Sequence, residues 1–114
     1  MKNELGTVYL LEAEGTGNYK IGYTTLTVKE RLAQLQTGCP DKLIITKSYL
    51  TTIPTILETS MHNAYRGKWR SGEWFELNID DVNNFKPLCE KLETNIKHVM
   101  ENSTYYQDMK NKRF

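Results

Sequence analysis

Cysteine, histidine and proline are scarce in this chain of 114 residues, which has two cysteines, two histidines and three prolines. Cys39 and Cys89 stand far apart in unrelated contexts, which argues against a disulfide scaffold or a zinc ribbon. A tetrahedral metal centre would need every Cys and His in the chain, Cys39, Cys89, His62 and His98, and no two of them have the close spacing of a ligand pair. Two ordinary thiols of a reducing compartment are the simpler account. Long apolar runs are missing as well. Nothing approaches the roughly 20 residues that span a bilayer, and Met1-Lys2-Asn3-Glu4 lacks the apolar block of a signal peptide. The expectation is a soluble, intracellular, cytoplasmic protein without a membrane partner. Charge of one sign is absent too: Lys plus Arg is 15, Asp plus Glu is 14 and the formal net charge is +1, so any nucleic-acid contact has to come from a local patch.

What is present can fold. Hydrophobic residues make up 39%, aromatics 11% and charged residues 25%, a balance that buries a core and that disordered chains lack. The length suits one domain, expected over residues 1–100, with a basic and frayed tail over 101–114. Residues 6–12 and 19–23 are rich in aromatic and β-branched types and flank Glu14-Gly15-Thr16-Gly17-Asn18, which predicts a hairpin with a glycine turn. Thr27-Val28-Lys29-Glu30 is a capping box that opens a helix running to about Thr37, with Gly38 as its left-handed stop and Pro40 beyond it. A third strand is predicted over 43–50. A second helix carries Leu57, Met61, Ala64 and Tyr65 at helical spacing, with Pro54 in its first turn and Gly67 after it. Gly72-Glu73-Trp74-Phe75-Glu76-Leu77 reads as a short extended segment. A third helix is expected over about 80–100, from Val82, Phe85, Leu88, Leu92, Ile96 and Val99, with Pro87 as a kink or a new start.

Polar residues bordering apolar stripes are the candidates for chemistry. Arg31 is three positions from Val28 and four from Leu35, beside the buried face of the first helix. It either lays its stem over the core and pairs with a carboxylate, or presents a half-buried cation. Glu58 and His62 are four apart on the second helix and lie one above the other. Such a pair can hold a divalent cation and move or orient a proton, or it can be an ordinary solvent-facing pair worth a few tenths of a kcal/mol. Arg66, Lys68, Trp69 and Arg70 interleave basic residues with an indole, the composition of a phosphate grip and equally of a core plug in a loop. Tyr9, Tyr19 and Tyr23 supply strand propensity. Gly22 among them marks a bulge or a close approach.

Taken in order, Thr7-Val8-Tyr9, Lys20-Ile21-Gly22-Tyr23-Thr24, Arg31-Leu32 in a capped helix, Glu58-x-x-x-His62 and Glu73-Trp74-Phe75 resemble the GIY-YIG nuclease superfamily. The match is closest to its phage-type and meiotically-up-regulated-gene-type branch and covers residues 6–77, about two-thirds of the chain. The resemblance implies an α+β fold, a small three-stranded, mostly antiparallel sheet flanked by helices, here with an additional C-terminal helix. It also implies metal-dependent hydrolysis of phosphodiester bonds, most simply in DNA. By that resemblance Tyr9 positions or activates the attacking water, Arg31 neutralises phosphoryl charge, Glu58 holds Mg²⁺ or Mn²⁺, and His62 carries or orients a proton. Tyr23, Arg66, Lys68, Trp69 and Arg70 are the expected nucleic-acid contacts. The chain departs from the pattern at Lys20, which stands where the superfamily has its second tyrosine and is expected to take a catalytic part there by stabilising phosphate charge or acting as a base, and at Leu35, where several members have a histidine. The competing expectation is a non-catalytic module on the same fold that binds nucleic acid or a protein partner, as an inhibitor does. A homodimer is left open.

Overall fold

Each end of the first hairpin turn is a glycine in a conformation closed to most side chains, Gly15 at φ 78° and Gly17 at φ 77°. The turn joins β1 (Gly6–Ala13) to β2 (Asn18–Thr24), and α1 (Val28–Thr37), β3 (Leu43–Thr51) and α2 (Pro54–Ala64) follow. A 3-10 turn over Arg66–Lys68 leads to β4 (Trp69–Ser71), β5 (Trp74–Glu76), α3 (Ile79–Asn83) and α4 (Phe85–Asn102). This computed structural model describes residues 5–102. The tail expected over 101–114 therefore falls outside the described residues, apart from Glu101 and Asn102 at the end of α4.

The sheet has five strands in the order β3-β1-β2-β5-β4, and all its pairings are antiparallel. That corrects the expected three-stranded sheet. The two added strands have three residues each, β4 fully exposed and β5 with one buried residue, Phe75, so neither carries the alternation by which a strand is read. They exist because β5 pairs with β2 and because Gly72, at φ 54°, turns the chain between them.

Central β1 is covered on both faces, which is why its sequence is a nearly unbroken apolar run. On one face Val8 and Leu10 join Ile21, Leu57, Met61, Tyr65, Phe75, Phe85 and Cys89 in the main core, under α2, α3 and α4. On the other face Tyr9, Leu11 and Ala13 pack with Leu43 under Val28, Leu32 and Leu35 of α1. The capping box forms as the sequence predicts: the Glu30 N–H donates to Thr27 Oγ1 at 3.1 Å and the Thr27 N–H to Glu30 Oε1 at 3.2 Å. Gly38 is not left-handed, with φ at −102°, and its N–H donates to the Gln36 carbonyl instead. The single helix expected over 80–100 is two, with Pro87 in the first turn of the second, where its missing N–H has no helical partner to lose. No helix among the described residues is long and apolar enough to cross a membrane.

One polar cluster fastens α4 to the sheet. Glu93 accepts hydrogen bonds from the Tyr49 hydroxyl at 2.7 Å and the Thr51 hydroxyl at 2.5 Å, with Lys97 Nζ at 3.7 Å. Burial opposes its charge, yet the Thr51 and Tyr49 hydroxyls and the Lys97 ammonium together hold its carboxyl below the usual range. Glu93→Ala is expected to cost about 1–3 kcal/mol, the range for hydrogen bonds to a charged group and the unpaired hydroxyls left behind, read as a lower urea midpoint at unchanged slope. The sign of the pH dependence follows. A carboxyl whose folded pKa lies below its unfolded one contributes stability above the unfolded pKa and loses it as pH falls through the folded pKa, so wild type and variant should converge in acid.

Candidate active-site cleft

Gly22 pairs directly with Tyr9 across the β1–β2 ladder, and the phenol lies over the glycine. A Cβ at position 22 would stand 2.7 Å from Tyr9 Cζ and closer still to the hydroxyl, so only glycine lets the ring lie across β2. Tyr9 is almost wholly buried, and its upper end reaches a cleft of about 330 Å³ lined by Tyr9, Tyr23, Thr24, Arg31, Glu58 and Glu73 among others. Three separate elements thus deliver Tyr9, Arg31 and Glu58 to one place. Burial pushes the Tyr9 phenol up, only partly offset by the Arg31 guanidinium beside it, so the hydroxyl stays protonated at neutral pH. Arg31 Nη1 also donates to Gln34 Oε1 at 3.0 Å, one turn along α1, which aims the fork.

Burial, and after it the charge of Glu73, push the Glu58 carboxyl above the usual carboxylate range; His62 and Lys20 pull it back only in part. Lys20 Nζ lies 3.1 Å from Glu73 Oε1 and 5.7 Å from the centre of the Trp74 ring, with its side chain only 15% exposed. Lys20, where the resemblance would put a second tyrosine, is thus a cation placed by a carboxylate and an indole. Glu73 is the charged cleft residue that sequence reasoning did not place there, and Leu26 is an apolar one. Glu73 belongs to the Glu73-Trp74-Phe75 motif, but its position over the cleft comes from the β4–β5 turn, which the sequence did not disclose.

His62 is engaged elsewhere. Its Nε2 is 2.7 Å from the Ile21 carbonyl oxygen, and since a carbonyl only accepts, that nitrogen carries the proton and donates. The Ile21 N–H donates to the Glu73 carbonyl at 3.1 Å, the last rung that the β5 side offers β2, and the imidazole serves the Ile21 carbonyl beside it. Its ring stands edge-on to Phe75, centroids 5.0 Å apart. Held in this way, His62 orients β2 and the foot of α2 and has no Nε2 lone pair for a proton.

The expected nucleic-acid contacts are divided. Tyr23 lines the cleft, whereas Lys68, Trp69 and Arg70 border a second hollow with Glu76, Leu77, Asn78 and Asp81. There Lys68 pairs with Asp81 at 2.5 Å and Arg70 with Glu76 at 2.7 Å. Trp69 is no core plug, being 56% exposed, with its indole N–H donating to the Gly72 carbonyl at 2.8 Å. Arg66 is exposed in the 3-10 turn.

Among the described residues no three His, Cys, Asp or Glu side chains converge on one point as an all-protein cage would require. The donors suit a cation that keeps most of its water and takes one or two carboxylates, which is the habit of Mg²⁺. A divalent ion beside Glu58 would relieve both the burial of its charge and its repulsion from Glu73.

Compared with known families, residues 6–90 match the T5orf172 domain. The match runs from β1 into the first turns of α4. It agrees with the phage-type branch of the resemblance and is not specific to GIY-YIG nucleases as such. No curated protein and no solved structure matches the chain.

Proposed function

The chain belongs to the T5orf172 domain family, phage-associated and linked to nuclease-type folds, and on that premise we propose that it is a metal-dependent endonuclease that hydrolyses phosphodiester bonds in DNA. The observation that carries the reading is the cleft, which collects a buried protonated phenol, a guanidinium and a partly desolvated carboxyl from three elements. Two ionisable groups whose protonation burial shifts, brought to one cleft with a guanidinium, are the kind of arrangement that acid–base and phosphate chemistry uses, and this convergence supports the reading.

Arg31 binds the scissile phosphate and neutralises the charge that grows on its oxygens as water attacks phosphorus. Lys20 adds a second positive charge on the β5 side of the cleft. Tyr9, protonated, donates from its hydroxyl and places water or a phosphate oxygen; it is not the base. Glu58 would hold the cation, Mg²⁺ or Mn²⁺, which when bound would supply Lewis-acid polarisation of the phosphoryl group. His62 keeps Glu58 and β2 in register through Ile21.

The test is incubation of the pure protein with supercoiled plasmid in Mg²⁺, Mn²⁺ or EDTA. Nicking in metal and none in EDTA is the expected result. Folded protein that cuts neither plasmid, single-stranded DNA nor RNA overturns the reading. Arg31→Lys should lose about 10²-fold in rate, because a point charge does not reproduce a planar fork of donors; retention of full rate in that variant would remove Arg31 from the site. The binding-module alternative is weaker at the Arg66–Arg70 segment, where Lys68 and Arg70 face Asp81 and Glu76 and only Arg66 and the exposed Trp69 are left without a carboxylate partner among the described residues.

A further inference from the structure

Charge in the cleft cancels. Arg31 is the one cation in the cleft's lining and faces the carboxylates of Glu58 and Glu73, Lys20 beside them is paired with Glu73, and the basic residues Lys68 and Arg70 are held in ion pairs of their own. A surface that follows a duplex does so with a run of free cations along both phosphate chains. This cleft offers little of that, so affinity has to come from somewhere else.

The other material at the cleft is apolar. Tyr23 is 38% exposed and Leu26 44% exposed, and both line the same cleft as Arg31 and Glu58. Neither position is a loose one. Tyr23 sits in β2 opposite Val8, and the Leu26 N–H donates to Thr24 Oγ1 at 3.0 Å, which fixes the bend between β2 and α1. The Tyr23 hydroxyl makes no hydrogen bond among the described residues, so its ring is presented without a structural partner. A fixed aromatic face beside a phosphate-binding guanidinium is the arrangement that takes a nucleobase by stacking. In an intact duplex both faces of each base are already covered by neighbours, and such a face has nothing to receive.

We propose that the cleft takes an unpaired nucleotide, with its base against Tyr23 and Leu26 and its phosphate towards Arg31 and Lys20, so that the substrate is single-stranded or locally unpaired DNA. This rests on the nuclease reading and narrows it.

A 5′-labelled 30-mer is presented to the protein in Mg²⁺ as a single strand, as a full duplex and as a duplex with a central unpaired bubble. Cuts should fall in the single strand and the bubble and spare the paired arms. Tyr23→Ala should slow cutting of the single strand by about 5- to 150-fold, the loss of one base–aromatic stack, and Tyr23→Trp should keep the rate within a few-fold. Tyr23 is exposed, and unchanged circular dichroism confirms that each variant folds. Cutting of the duplex at the single-strand rate, or a Tyr23→Ala variant as fast as wild type, overturns the proposal and leaves the nuclease reading standing. Anisotropy of the same labelled strands in EDTA separates the two ideas further. Binding of the single strand that Tyr23→Ala weakens, without cutting of any strand, removes the nuclease reading and keeps the base site; preference for the duplex removes the base site, and binding of neither removes both.

Discussion

Glu58→Gln is expected to lower the rate of metal-dependent cleavage by about 10³-fold or more, beyond the usual loss for a single charge-stabilising donor because a metal-holding carboxylate would go with it. The same variant should be at least as heat-stable as wild type. The sign comes from the direction of the shift: burial, and then Glu73, raise the folded pKa of Glu58 above its unfolded value, so the ionised form is disfavoured by folding. For such a group the folded state gains stability as pH falls and gives it up as pH rises through the folded pKa. A neutral amide of the same shape removes that cost at neutral pH. Lost activity together with an unchanged or raised Tm separates a functional carboxylate from a structural one. Full activity would remove Glu58 from the mechanism, and a lowered Tm would make the side chain part of the scaffold.

The first half of the fold was legible because its signals are local. Thr27 and Glu30 are three residues apart and cap each other, Gly15 and Gly17 bracket one turn, and Leu57, Met61 and Tyr65 repeat at the helical period. Even there Ala64, on the same stripe, is exposed. The illegible parts depend on distant partners. β4 and β5 are too short to show a period and are strands only because β2 receives β5. His62 finds the Ile21 carbonyl 41 positions away, and Lys68 finds Asp81 13 positions away. A basic run looks like a free phosphate grip until the fold brings carboxylates to it. The cleft follows the same division. Arg31 and Glu58 were candidates by type and spacing and Tyr9 by the resemblance alone, and the structure puts all three around one space; Glu73 entered it only through the turn after β4.

That space depends on an atom that is missing, and adding it is the second large effect. Gly22→Ala is expected to destabilise the protein by about 1–3 kcal/mol, the range for overpacking a well-filled core, and to cost most of the cleavage activity as well. The backbone is not the reason, since Gly22 does not have a positive φ and alanine could adopt its conformation. The reason is steric: the new Cβ would meet three atoms of the Tyr9 ring and hydroxyl, all at 3.0 Å or less. A flexible side chain would swing aside, but this ring is buried to within 1% and packed among Leu11, Ala13 and Leu43 under α1. To admit the methyl group, either the ring tilts and withdraws its hydroxyl from Arg31, or β1 and β2 move apart around it. The first costs activity and the second stability. Tyr9→Phe in the Gly22→Ala background distinguishes them. Removing the hydroxyl takes away the nearest clash, so the double variant should recover part of the lost urea midpoint while staying inactive, a non-additivity expected only of groups in direct contact. Strict additivity in the midpoint would mean that the two residues do not press on each other, and that glycine stands at position 22 for another reason.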